Sequence, residues 1–239
     1  MTAALLPSPA LPAPPLPSTA ATAYQRVLHA AVERELRLLG ELASWVTTDG
    51  AERRAELAGQ VDLITRVLLE HHAFERDLLW PALLRSLPAA EQEGARLCVD
   101  AFALRASSLD SRLRDLATLA RQWAVTGSVP ARDALVLACG PVADAVAESV
   151  ACEEADLLPL LARYLPDGEW AAVCRAAAST LSGREQMLVL GLVLEDACAL
   201  DRARVLATVP VAVRTAWRVV GRRTFRAAVV RLRGAPPAL

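Results

Sequence analysis

The sequence predicts an all-α chain, an up-and-down four-helix bundle with additional C-terminal helices. Two observations carry this. From residue 21 onward apolar residues recur at spacings of three and four, and no useful length alternates at period two. Four long periodic segments also follow one another over short turn-forming connections, which makes sequential helices antiparallel neighbours.

Residues 1–20, "MTAALLPSPALPAPPLPSTA", stand outside the pattern. They lack the positive start and clean apolar stretch of a signal peptide and are expected to be a proline-rich disordered tail. The bundle is assigned to 21–166. Its first helix is placed at about residues 21 to 46, before the turn "TTDG", and its second at about 51 to 80, with Pro81 expected to kink or close it. "SLPAAEQEG" leads into a third helix at about 92 to 123, and "VTGSVPA" is a loop with proline near the next start. The fourth is placed at about 131 to 164, with Pro141 and Pro159 as kinks. The segment 167–239 is assigned to a helical extension packed on the bundle, with helices at about 169 to 180, 183 to 199 and 210 to 232.

Composition excludes several classes. A chain of 239 residues can bury one sizeable core, and a formal net charge of −1 gives no global field that would draw nucleic acid. All basic residues are arginine, which reads as a high-GC coding bias. The five cysteines, Cys98, Cys139, Cys152, Cys174 and Cys198, form no C-x-x-C pair, so a disulfide scaffold or structural zinc site is not expected and a reducing cytoplasm fits. Each reads first as a small buried hydrophobe. Runs such as "ALVLACGPVA" and "MLVLGLVL" fall short of a membrane span, so a soluble chain is expected. No acidic residue follows Asp201, whereas seven arginines from Arg214 to Arg233 surround Trp217 and Phe225. That last helix is either a solvated basic face or a weak contact to an anionic membrane surface.

Chemistry concentrates in "LLEHHAFERDLLWP". Residues four apart share a helix face, so His71 and Glu75 point into the stripe of Ile64, Val67, Leu68 and Leu78, and His29 shares a stripe with Val32, Leu36, Leu39 and Ala43. A buried carboxylate is costly unless protonated, hydrogen-bonded or bound to a cation. Two histidines and a carboxylate converging from neighbouring helices meet that cost by holding a metal. His72 faces away, near Thr65 and Leu69, and reads as a surface or supporting residue. Glu153 stacks with Ser149, Asp156 and Leu160, and Glu154 with Val150, Leu157, Leu158 and Leu161; the more apolar stripe selects Glu154.

The stretches "LHAAVERELRLLGEL", "HHAFERDLLWP", "CEEADLLPLLARYLPDGEW" and "VPVAVRTAWRVVGRRTFRAAVVRLRG", in that order, resemble the hemerythrin-like (HHE cation-binding) proteins of actinobacteria. The resemblance implies a four-helix bundle that holds two non-haem irons and carries or senses oxygen. It implies a ligand pattern of one His on the first helix, His-x-x-x-Glu on the second, one or two His on the third and His-x-x-x-x-Asp/Glu on the fourth. His29, His71 with Glu75, and Glu154 match; the fourth-helix histidine position falls on Ser149, and no histidine follows residue 72. In the family the missing histidines serve one iron, so a degenerate site with a single iron at His29, His71, Glu75 and Glu154 is expected, acting in oxygen or peroxide binding, sensing or redox chemistry. Cys152 is a second-choice soft ligand.

Two other readings stay open. A metal-free bundle could hold an apolar small molecule in a vacated interior lined by Phe102, Ser149 and Cys152, with His29, His71 and Glu75 as acid and base in a biosynthetic pathway. Alternatively the chain is a non-catalytic regulatory or interaction protein.

Overall fold

The computed structural model describes residues 19–237. The tail expected over 1–20 lies almost wholly outside the described residues. Among these, all regular structure is helical.

Helix α1 (Ala20–Ser44) opens on a reciprocal cap. The Thr19 hydroxyl accepts from the Thr22 backbone N–H, and the Thr22 hydroxyl accepts from that of Thr19 at 2.9 Å. Helix α2 (Ala51–Phe74) continues through a π-turn, Glu75–Leu79, into α3 (Trp80–Ser86). Here the expected kink at Pro81 takes another form. Proline cannot donate to the carbonyl four residues back and its ring crowds that carbonyl. The chain widens one turn, with the Trp80 N–H donating to the Glu75 carbonyl five residues earlier, and runs on to Ser86. The turn that absorbs Pro81 therefore begins at Glu75.

Helix α4 (Ala89–Thr126) ends on Gly127, whose φ of 60° is the left-handed cap conformation that glycine adopts without strain. Helix α5 (Val129–Asp156) starts on the Ser128 hydroxyl cap and carries Pro141 in its interior. Pro141 is exposed, so the helix tolerates it on its solvent side. The expected fourth helix is broken at Leu157, and α6 (Leu158–Tyr164) restarts with Pro159 in its first turn.

Helix α1 packs on α2 and α5, and α4 closes the ring between them. Their apolar stripes fill the core with Leu36, Leu39, Leu57, Leu68, Leu113, Leu135 and Trp123, all at most 2% exposed. By length and composition α5 could cross a membrane. In the bundle its apolar residues Leu135, Cys139, Val142 and Val146 are core. Backbones approach closely at Gly40, where an added Cβ would stand 2.9 Å from Cys139 Cβ.

The extension comprises α7 (Asp167–Ala176), α8 (Gly183–Glu195), α9 (Ala199–Thr208), α10 (Val211–Ala216), a π-turn at Trp217–Gly221 and α11 (Arg222–Arg233). The sequence reading missed α9, whose cap is unusual: Cys198, expected as a buried hydrophobe, is exposed, and its Sγ accepts from the Asp201 N–H at 3.4 Å. Helices α8 and α9 lie against α1, and α11 lies against α8. Phe225 inserts where Gly191 has no side chain; a Cβ there would stand 2.2 Å from the ring.

The basic last helix has two sides. Trp217, Gly221, Phe225, Val229 and Leu232 form its buried seam, and Arg218, Arg222, Arg223 and Arg226 face solvent. Arg233 turns inward, with Nη2 2.5 Å from Glu35 Oε1 and Nη1 2.7 Å from Glu195 Oε1. Arg34 reaches both carboxylates, at 3.3 and 3.1 Å, closing a four-member ion network that ties α1, α8 and α11.

Helix α8 has its own capping box, in which the Ser182 N–H donates to Glu185 Oε2 at 2.8 Å while Arg66 from α2 lies 2.5 Å from Oε1. Arg66 first, and then Ser182, lower the Glu185 pKa to about 2. A carboxylate depressed in the folded state contributes stability that is complete above its ordinary value near 4.5 and lost as pH falls through about 2. Acid titration of a Glu185→Gln variant by circular dichroism should therefore show a stability deficit at pH 6 that closes between pH 4.5 and 2; a deficit unchanged at pH 2 would contradict the assignment.

Candidate metal centre

The stripe positions chosen by helical spacing do converge. His29 on α1 and His71 on α2 point their Nε2 atoms at each other, 2.9 Å apart. Glu75, at the first position of the π-turn, brings Oε1 to 3.2 Å from His71 Nε2. The widened turn is what ends the α-helical register immediately after His71 and Phe74, and π-turns of this kind recur at functional positions. Among the described residues, His29, His71 and Glu75 offer ligand atoms that all lie within 4.8 Å of one another.

The fourth-helix carboxylate requires a correction. Glu154 is exposed, and Glu153 is the buried one, with Oε2 3.6 Å from His29 Nε2. The reason is the break at Leu157. Leu157, Leu158 and Leu161 were counted onto the Glu154 stripe as though α5 ran on to residue 164, but they follow the break and report nothing about the upstream face. Upstream, the buried stripe of Leu135, Cys139, Val142, Val146 and Ser149 leads to Glu153. Cys152 is half-buried beside that stripe and is not part of the convergent cluster.

Sequence reasoning also missed Gln25, one turn before His29 and 0% exposed. Its amide Nε2 donates to Glu75 Oε1 at 2.5 Å and to Glu153 Oε1 at 2.9 Å, so one neutral side chain ties the two carboxylates together. A glutamine four residues before His29, on the same helix face, was the available signal.

His72 is buried as well, contrary to the surface reading. Its Nδ1 lies 2.5 Å from Asp110 Oδ1 on α4, so it bridges α2 and α4 while His71 faces α1. Phe102, proposed as the lining of a vacated interior, is packed edge-on against Trp80 and His72, with ring centroids 5.6 and 6.5 Å apart.

The site is dry. His29, His71, Glu75 and Glu153 are all at most 4% exposed. Tyr24 stands over His71 at 5.8 Å between centroids and touches Trp170 of α7 at 5.5 Å, with Phe74 completing the aromatic cover. Burial first, and then the neighbouring His71, push the His29 pKa down to about 3, which keeps its imidazole neutral. For Glu75 burial pushes upward, but the adjacent His71 outweighs it and the carboxyl sits below its ordinary value. Burial, and then the Glu75 charge, push Glu153 well up.

These residues fit a cation. Donor atoms bound at about 2.1 Å to one metal stand roughly 3.0–3.4 Å apart; the His29–His71 and His71–Glu75 separations are close to this at 2.9 and 3.2 Å, and Glu153 stands farther out, 3.6 Å from His29. Glu75 Oε2 and the Nδ1 atoms of both histidines have no protein partner although buried. Two facing Nε2 atoms can share only one proton between them, whereas a cation accepts both lone pairs. Two imidazoles and a carboxylate are the donor set of mononuclear non-haem iron sites.

No curated protein and no solved structure gives a significant match to the chain. The family model for the hemerythrin HHE cation binding domain matches residues 21–161, from the start of α1 through the site and into α6. The chain therefore belongs to the hemerythrin HHE cation-binding family.

Proposed function

We propose that the protein holds a single non-haem iron at His29, His71, Glu75 and Glu153, the remnant of a two-iron site of the actinobacterial type, and acts in oxygen or peroxide binding, sensing or redox chemistry. The observation that carries this is the meeting of the His29 and His71 Nε2 atoms with the Glu75 carboxylate in a buried site, with Gln25 joining Glu75 to Glu153. A glutamine amide at that position links the carboxylates without a second positive charge. The chemistry an iron would supply there is a one-electron couple with coordination positions left for a small exogenous ligand.

The chain's own residues do the rest. Gln25 fixes the carboxylate planes of Glu75 and Glu153. Burial and the Glu75 charge favour the protonated form of Glu153, and a cation held there would favour its carboxylate instead. Tyr24, Phe74 and Trp170 keep bulk water from the histidine pair.

Comparing two neighbouring carboxylates tests the assignment. After anaerobic loading with ferrous iron and desalting, a Glu153→Gln chain should bind iron at least about tenfold more weakly, the smaller loss that even an outer-shell partner produces. Glu154→Gln should match the wild type. A wild type that retains no iron, or loss confined to Glu154→Gln, contradicts the proposal.

A further inference from the structure

A second site lies away from the histidines. Between α2, α8 and α11 a cavity of about 370 Å³ opens to the surface. Its floor is apolar, formed by Leu63, Met187, Leu192, Phe225 and Val229. That volume lies at the lower end of the range of small-molecule sites, roughly 300–1,000 Å³. Leu63, the lining residue of α2 nearest the metal centre, and His71 are eight residues apart on that helix, about 12 Å along its axis. The cavity is therefore distinct from the metal centre.

Two features indicate what it takes. Gly59 sits inside α2 and lines the cavity, although glycine in a helix interior is less favourable than alanine. No close approach requires it, since an added Cβ would meet nothing within 4 Å. The missing side chain keeps the cavity mouth clear. One rim cation is also left without a carboxylate partner among the described residues. Glu56 is paired with Arg231 at 2.7 Å and Glu185 with Arg66 at 2.5 Å. Arg184, on the same rim, is exposed and has no carboxylate partner among the described residues. An apolar floor below an unpaired guanidinium is complementary to an amphipathic anion, and a guanidinium pairs with a carboxylate through two parallel hydrogen bonds.

We propose that this cavity binds a medium-chain apolar carboxylate, its hydrocarbon body against Phe225 and Met187 and its carboxylate at Arg184. Sodium decanoate is the probe, with decyltrimethylammonium as the ligand of similar tail and opposite charge, and calorimetric titration of the full chain is the readout. Decanoate should bind saturably at one site per chain, and at least about tenfold more tightly than the cationic probe. Arg184→Gln should weaken it about tenfold, as expected for one charge-assisted contact. Gly59→Leu should abolish it while the thermal melt stays at or above the wild-type value, because leucine is the better helix former. His71→Ala should bind decanoate like the wild type, which separates this site from the metal centre. Equal binding of the two probes, undiminished binding by a folded Gly59→Leu chain, or no decanoate binding would each overturn the proposal.

Discussion

A His71→Ala chain is expected to lose the thermal stabilisation that ferrous iron gives the wild type. A ligand that binds only the folded state stabilises by about 2.7 kcal/mol at a hundredfold excess over its Kd. For a chain of this size that corresponds to a rise in Tm of roughly 5–11 °C. His71 contributes the Nε2 atom that stands 2.9 Å from His29 and 3.2 Å from Glu75, so its removal takes away the donor common to both contacts. The comparison is of the shift on adding metal, because the imidazole also packs against Tyr24 and Phe74 and its loss lowers the metal-free Tm by itself. Thermal melts with and without iron check this. An equal shift in wild type and variant would mean that iron binds elsewhere.

Arg233→Ala should destabilise the whole chain by about 3 kcal/mol, the low end of the cost of breaking a buried ion pair. Glu35 is 0% exposed, and Arg233 is one of two guanidiniums that neutralise it. The same arginine holds Glu195 at the end of α8, so one substitution unbalances both carboxylates and loosens α11 from α1. Urea or thermal unfolding should show one transition, lowered by roughly 6–12 °C in Tm. Adding Glu35→Leu to Arg233→Met should restore most of the loss, since an apolar pair of similar volume carries no desolvation penalty. A change below about 0.5 kcal/mol would place this network with ordinary surface pairs. It would also make the C-terminal helices a detachable addition.

What the sequence made legible, and what it hid, follows from the range of the forces involved. Helical periodicity is local, so the four long helices and the inward faces of His29, His71 and Glu75 could be read from spacing alone. The choice between Glu153 and Glu154 depended on where α5 stops. Apolar residues on both sides of Leu157 look like one stripe until the break is known. Gln25 escaped notice because its role arises only when Glu75 and Glu153, 50 and 128 residues away in sequence, come to its amide. The burial of His72 escaped notice for the same reason: its partner Asp110 lies on a different helix. The basic character of the last helix was plain, but its division into a buried seam, an inward Arg233 and an exposed face of four arginines depends on Glu35 and Glu195 from other helices. Short α9, ten residues long, had too few turns for its period to show.

The central claim is one metal position in place of two, and metal content per chain measures it most directly. Protein loaded anaerobically with excess ferrous iron, desalted and analysed by mass spectrometry of the element against quantitative amino-acid analysis should give one iron per chain. A value of two, or of none, would contradict the account.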